Sequence, residues 1–334
     1  VAEFRSHDFL PASALARLTE ARIDDPEGAL RAAQRRKRRD GLTRDGRLNI
    51  LAADHPARRV TSVGADPIAM CDRRDYLARV VRALMSDAVD GVMATMDIIE
   101  DLLSLDDLLG AALLNEKLII ASLNRGGLAG SVWEMDDPLT GATAATLAEW
   151  NLDGAKILMR LCDAEPDSLK TLLASAQAIN ETNAQKLPMF LEPLPVIKTD
   201  KGYQVVKTAE ALARIVGVAS ALGGSSRYLW LKLPYCENYE LVARATTLPI
   251  LLLGGESAGD AAPLLREIAS GLAAAANVRG ALAGRNVLYP GDEDPLVVAE
   301  AAGRIIHHNS TTEQALEVAS ALRGRGLDRV TRYL

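Results

Sequence analysis

A chain of 334 residues, 49% hydrophobic but only 4% aromatic, can fill one large α/β barrel or two ordinary domains with a core of Leu, Ala, Ile and Val. A formal net charge of −6 argues against a chain built mainly to bind nucleic acid. No apolar run reaches the roughly 18 uncharged residues of a membrane span, no charged-then-apolar leader opens the chain, and Cys71, Cys162 and Cys236 suit neither a disulfide framework nor a zinc site. The cytosol is the expected location.

In chain order, a helical extension is expected first, with helix over about 9–40 in a segment spanning 1–45. It carries one strongly basic stretch, Arg35-Arg36-Lys37-Arg38-Arg39, which beside Asp24, Asp25 and Glu27 reads as a solvated helix end rather than a phosphate contact. Strand and helix signals then alternate over 46–334. Strands are expected at 48–53, 91–95, 118–123, 154–159, 189–191, 228–233, 249–253 and 279–283. Their apolar runs are continuous rather than alternating, as in a parallel sheet covered on both faces. Helices are expected at 75–88, 98–115, 143–150, 166–182, 208–222, 238–245, 261–276 and 295–307, where apolar residues recur at helical spacing. Strand–helix pairs in this order predict a (β/α)8 TIM barrel preceded by the helical extension. A doubly wound sheet is the alternative, but its phosphate fingerprint is missing after the first strand, which ends Ala53-Asp54-His55-Pro56.

Two lysines stand inside strand-like runs: Lys156 in Gly154-Ala155-Lys156-Ile157-Leu158-Met159, and Lys232 in Leu229-Trp230-Leu231-Lys232-Leu233-Pro234. By strand alternation, the neighbours of each point to the surrounding helices and the lysine itself to the barrel interior. An ammonium there loses hydration at a cost of several kcal/mol unless it is paired or gives up its proton. Desolvation and a nearby second cation both lower a lysine's pKa, and a neutral lysine can form a Schiff base with a carbonyl. A strand-end lysine snorkelling to solvent is the plainer alternative.

Catalytic groups of TIM barrels gather at the C-terminal strand ends. Asp54 and His55 end the first strand there, and Glu192 ends the fifth, held extended by Pro193. The carboxylates are candidate acid–base groups, or else ties for a loop. His55 can move protons near neutral pH or simply make a turn with Pro56. Glycines follow the last two strands, in Leu253-Gly254-Gly255-Glu256-Ser257 and Ala283-Gly284-Arg285-Asn286. Loops at these two places form the recurrent phosphate site of such barrels, where Arg285 offers a two-pronged contact. After the third strand, Asn124-Arg125-Gly126-Gly127 begins a flexible segment whose Arg125 is a candidate for a second anionic group. Cys236 is expected to be a buried, inert thiol. No spacing of carboxylates and histidines reads as a metal site, so metal independence is expected.

These residues resemble the superfamily of Schiff-base (class I) aldolases that includes tagatose-bisphosphate, deoxyribose-phosphate and archaeal-type fructose-bisphosphate aldolases. Phe190-Leu191-Glu192-Pro193-Leu194 and Ala155-Lys156-Ile157-Leu158 are similar to motifs of the tagatose-bisphosphate branch. Gly284-Arg285-Asn286, Leu253-Gly254-Gly255 and Asp54-His55 look like those of the archaeal-type branch, and Lys232 falls where the Schiff-base lysine occurs. The resemblance covers about 45–315. It implies Lys232 as Schiff-base former, Lys156 as the lysine that depresses its pKa or moves protons, and Asp54 and Glu192 as acid–base partners. It further implies a small phosphorylated keto sugar or keto sugar acid as substrate, 5-dehydro-2-deoxy-6-phosphogluconate of inositol breakdown among them. No cofactor, nucleic acid or membrane is expected as a partner, and the expected assembly is a homo-oligomer. Two features depart from the pattern: Leu233-Pro234-Tyr235 matches no single branch, and Arg58-Arg59 stands where glycine is usual. His307-His308-Asn309 resembles a relative that cleaves a phosphorylated diketone by thiolase-like acyl transfer, which stays an alternative, as does a barrel that binds sugar phosphate without catalysis.

Overall fold

The computed structural model describes residues 3–200, 202–255 and 259–333. Three helices come first, α1 (Ser6–Phe9), α2 (Ala12–Asp24) and α3 (Gly28–Arg35). Strands and helices then alternate: β1 (Leu48–Ala53), α4 (Arg73–Leu84), β2 (Gly91–Ala94), α5 (Met96–Leu109), β3 (Leu118–Ser122), α6 (Ala144–Glu149), β4 (Gly154–Leu161), α7 (Ser168–Ala184) and β5 (Met189–Thr199). The chain continues through β6 (Gly202–Val205), α8 (Ala209–Ser220), β7 (Leu229–Pro234), α9 (Tyr239–Ala243), β8 (Ile250–Leu253), α10 (Ala262–Ala274), β9 (Val278–Ala283), α11 (Arg285–Leu288), α12 (Pro295–His308) and α13 (Thr312–Ser320).

Every strand but β6 pairs in parallel with its neighbours, in the order β4-β3-β2-β1-β9-β8-β7-β5, and a β4–β5 pairing closes the ring. This is the expected (β/α)8 barrel, and closure rules out the doubly wound sheet, which has free edges. Gly280 helps to close it: at φ +130 beside Leu48, a Cβ would stand 1.9 Å from the Leu48 carbonyl oxygen.

Alternation divides the strands into two faces. Leu48, Ile50, Met93, Leu118, Ile120, Phe190, Leu251 and Leu282 pack together inside the barrel. Ala155, Ile157, Leu231 and Leu233, the neighbours of the two lysines, join the layer under the helices, as their spacing predicts. Helix α5 stops at Leu109 rather than running to 115, because Gly110 caps it at φ +55. Among the described residues no helix is long and apolar enough to cross a membrane.

The fifth strand corrects the expectation most. Instead of ending at 191 it continues to Thr199 and turns back as β6, a hairpin paired from Val196↔Val205 to Thr199↔Gly202. The basic stretch is a second correction. Arg36 and Arg39 are not solvated: their side chains are 3% exposed and reach Asp153 (2.7 Å) and Asp90 (3.0 Å), which precede β4 and β2. Arg38 also meets Asp153, at 2.9 Å. The segment leaving α3 is thereby tied to the N-terminal end of the barrel, opposite the strand ends where a site is expected.

Candidate active site

Glu192 is the centre of the site. From β5 it points inward, and one oxygen, Oε2, takes both amines: Lys156 Nζ from β4 at 2.6 Å and Lys232 Nζ from β7 at 3.0 Å. Lys156 is fully buried and Lys232 is 5% exposed. Two cations about 5 Å apart repel by roughly 3 kcal/mol at an effective dielectric of about 20, on the order of two pKa units. A single carboxylate oxygen cannot hold both amines charged at no cost.

The environment resolves this unevenly. Burial pushes Lys156 well below the ordinary lysine value, Arg125 and Lys232 push it further, and Glu192 opposes them. Burial also lowers Lys232, helped by Arg125 and Arg285 and opposed by Glu192. For Glu192, burial alone favours the protonated acid, but Lys156, Lys232 and Arg125 outweigh it and hold the group ionised. Of the two amines, Lys156 is the one more strongly driven to be neutral.

Asp54 lies deeper, with no exposed surface. Its Oδ2 accepts from the Ser122 hydroxyl (3.0 Å), stands 3.4 Å from Lys156 Nζ and pairs with Arg125, while Oδ1 has no partner among the described residues. Arg125 is therefore engaged inside the protein and does not sit free at the end of a flexible segment. Its chain is pinned on both sides: Asn124 exchanges two hydrogen bonds with the backbone of Leu158, and the Gly127 N–H donates to Asp137 at 3.0 Å. Burial lowers Arg125 to about 10.

A cavity of about 550 Å³ opens at this end of the barrel, and Lys232, Glu192, His55, Arg285, Gly254 and Gly255 line it. Lys156 and Asp54 lie behind the wall rather than on it. Burial, followed by Arg285 and Lys232, pushes His55 well below its usual value, so its ring is a neutral imidazole. Gly284 does not line the cavity. It allows close packing instead, since a Cβ there would come within 2.4 Å of both the Ala52 carbonyl oxygen and the His55 ring. Glu256 and Ser257, in the loop after the seventh barrel strand, lie outside the described residues.

Two walls of the cavity were not expected from the sequence. Tyr203, Gln204 and Val205 of the hairpin form one wall. Arg58 and Arg160 form another, both bonded to Glu134 Oε1, at 2.8 and 2.6 Å. The signal for Arg160 was present, for it follows Lys156 and Leu158 on the inward face of β4 at the same two-residue spacing. Cys236 is buried against the core and its thiol is pushed up by that burial, which leaves it protonated. His307 lies at the other end of the barrel, between Asp45 (2.9 Å) and Asp90 (3.1 Å), so the residues that suggested acyl transfer are remote from the cavity. No group of three or more His, Cys, Asp or Glu among the described residues is arranged to hold a metal ion.

Residues 46–303 match the Cgl0159-like family. The chain belongs to that family. The crystal structure of Cgl0159 from Corynebacterium glutamicum is similar over 90% of this chain and 99% of its own, with 36% identity and a TM-score of 0.84. The Cgl0159-like barrel also resembles a fructose-bisphosphate aldolase from Slackia heliotrinireducens (17% identity, 97% of each chain, TM-score 0.64) and an archaeal fructose 1,6-bisphosphate aldolase (18% identity, 84% of this chain and 99% of that one, TM-score 0.59). The likeness to the aldolases establishes a shared fold, the one that the sequence motifs imply. No curated protein matches the chain.

Proposed function

We propose that this Cgl0159-like protein is a class I aldolase that cleaves a phosphorylated keto sugar or keto sugar acid through a Schiff base on Lys232. One observation carries the reading: the amine on the cavity wall shares a single carboxylate oxygen with a second, deeper amine. Lys232 can reach a substrate, whereas Lys156 cannot. Burial and the charge of the other amine lower both lysines, so the pair can lose a proton, and Glu192, bonded to both, can carry the one that remains to Lys156 and leave Lys232 nucleophilic.

The chemistry then follows. Neutral Lys232 Nζ adds to the ketone, and loss of water from the carbinolamine gives an iminium. A base takes the proton of the hydroxyl two carbons from the iminium carbon. The bond from that hydroxyl-bearing carbon to the carbon next to the iminium breaks, the hydroxyl-bearing carbon leaves as an aldehyde, and the electron pair of the broken bond forms the enamine. Protonation of the enamine and hydrolysis return the amine and release a ketone. Glu192 is within hydrogen-bond reach of both amines and lines the cavity, which suits it to these proton transfers. Asp54 acts behind it, orienting Lys156 and Arg125. Gly254, Gly255 and Arg285 suit a phosphate next to the ketone. The resemblance of the motifs favours 5-dehydro-2-deoxy-6-phosphogluconate, and an archaeal fructose-1,6-bisphosphate aldolase of the same fold holds its catalytic Lys covalently bound to the carbinolamine intermediate of its substrate.

Borohydride reduction tests the proposal. Treatment with a phosphorylated ketose or keto acid should add the mass of the reduced substrate to the peptide containing Lys232. Lys232→Ala should abolish both adduct and cleavage. Cleavage without an adduct, or an adduct elsewhere, refutes the Schiff base. Tight binding of the same compounds with neither adduct nor cleavage leaves the non-catalytic sensor as the better description.

A further inference from the structure

Arg58 and Arg160 form an unexplained feature of the cavity. Both guanidinium groups are largely buried, with side chains 12% and 6% exposed. Both converge on Glu134 Oε1, and both are braced by backbone: Arg58 Nε donates to the Gly127 carbonyl at 2.9 Å, and Arg160 Nη2 to the Glu134 carbonyl. Arg58 keeps an unused nitrogen, since no bond from its Nη1 occurs among the described residues, whereas both Nη atoms of Arg160 donate to Glu134 and its Nε is buried. Asp137 stands close by, committed by Oδ1 to the Gly127 N–H. Burial and Arg160 together lower Arg58 to about 10, against the opposing pull of Glu134, Asp137 and Glu192.

Placement shows what the pair faces. In a ring of eight parallel strands, β4 lies opposite β9, so Arg160 and Arg285 occupy opposite sides of the mouth. Lys232 and Glu192 are on the wall between them. Arg160 is four residues beyond Lys156 on β4, about 13 Å further along the strand axis at roughly 3.3 Å per residue. The pair therefore stands above the amines and across from the glycine loops.

Resting on the aldolase reading, we propose that Arg58 and Arg160 bind a terminal carboxylate at the far end of the substrate from its phosphate, which makes a phosphorylated keto acid the substrate class. Guanidinium groups fixed in place on the cavity wall by backbone contacts suit a carboxylate. The charge balance points the same way. Glu134 and Asp137 together oppose the two cations, so little spare positive charge is left, and a monoanion asks less of the pair than a second dianionic phosphate. Arg58 also explains why an arginine stands where the related pattern has glycine.

The test compares three ketones that share the phosphate end: 5-dehydro-2-deoxy-6-phosphogluconate, fructose 1-phosphate and fructose 1,6-bisphosphate. Wild type should favour the keto acid in kcat/KM, mainly through KM. Arg58→Ala and Arg160→Ala should each cut the keto-acid to fructose 1-phosphate ratio by roughly ten- to hundredfold, the size of a charge-assisted contact. Arg58→Lys, which keeps charge but loses the fork, should recover only part of that ratio. A ratio unchanged in the alanine variants overturns the subsite, and wild-type preference for the bisphosphate overturns the carboxylate. If Arg160→Ala does not fold, wild-type selectivity and the two Arg58 variants still decide. Absence of a reduced adduct with all three compounds refutes the aldolase instead. Calorimetric binding of the keto acid to wild type and Arg58→Ala then reads the subsite separately, and equal affinity refutes it.

Discussion

At the scale of single residues, the decisive arrangement is one oxygen between two amines of unequal depth. If Lys156 takes the Lys232 proton, then Lys156→Met removes the proton acceptor and also a cation that disfavours the charged form of Lys232. Both losses act in one direction. The protonated form of Lys232 becomes easier to keep, and the acid limb of the rate profile moves to higher pH. The rate at neutral pH should fall by about 10²–10⁴, the usual worth of a positioned proton-transfer group. Measuring borohydride trapping against pH in wild type and Lys156→Met checks this directly. A slower variant whose acid limb has not moved would show that Lys156 merely fills space. The lysines and both carboxylates could be read from the sequence for a simple reason: a charge inside a continuous apolar run, at an inward position, has few bland explanations. Glu134 could not be read so, because it lies in the irregular segment between β3 and α6 and its position depends on long-range folding.

At the scale of elements, the barrel strands were readable because burial on both faces leaves uninterrupted apolar runs. Those runs mark the strands to within a residue or two in most cases. The extension of β5 was hidden by Pro193 and Pro195, which look like a strand end. Parallel pairing with β4 nevertheless carries through both prolines, and Asp200 and Gly202 flank the turn into β6. The helices of the N-terminal extension stand as expected, but its basic stretch misleads for the opposite reason: five consecutive basic residues look solvated until buried partners are known. Arg36 meets Asp153 and also donates to the carbonyls of Lys117 (2.8 Å) and Asn151 (3.0 Å). Arg36→Met takes from Asp153 its buried partner, leaving it only Arg38 and the Ile119 N–H, and leaves two carbonyls without their donor, so it should cost about 3 kcal/mol, the low end for a broken buried pair. Arg38→Ala removes a partner whose side chain is 45% exposed and should cost less than about 1 kcal/mol. Denaturant midpoints of the two variants provide the check. Equal, small shifts would mean that the extension is not anchored through Arg36.

At the scale of the whole molecule, the two ends of the barrel make opposite demands on pH. At the end that holds the amine pair, the proposed aldolase activity should rise as the pair loses its proton. At the other end, His307 has Asp45 on one ring nitrogen and Asp90 on the other, an arrangement that requires imidazolium. Burial lowers its pKa, but Asp90 and Asp45 outweigh that and the net shift is upward. Asp90 also pairs with Arg39, a competing cation that limits the effect without reversing it. A folded-state pKa above the unfolded value means that the extra stability is fully present below about pH 6.5 and disappears as pH rises through the folded pKa. Asp90 is shifted the other way, below the usual carboxylate range: burial opposes the shift, but the bonds from His307, the Asn49 N–H and Arg39 overcome it. Its contribution is therefore present at neutral pH and lost only in acid. Between about pH 6 and 9, the stability that His307 adds should thus fade while the proposed aldolase rate climbs. Lys117, lowered to about 8 by burial, and the two active-site lysines act the other way, because a depressed folded pKa adds stability as pH rises, so the His307 share must be read as a difference. The gap in unfolding midpoint between wild type and His307→Gln should be widest near about pH 6 and shrink toward about pH 9, with the rate profile of the variant unchanged. A gap that stays constant or widens with pH would mean that the imidazole is neutral in the fold.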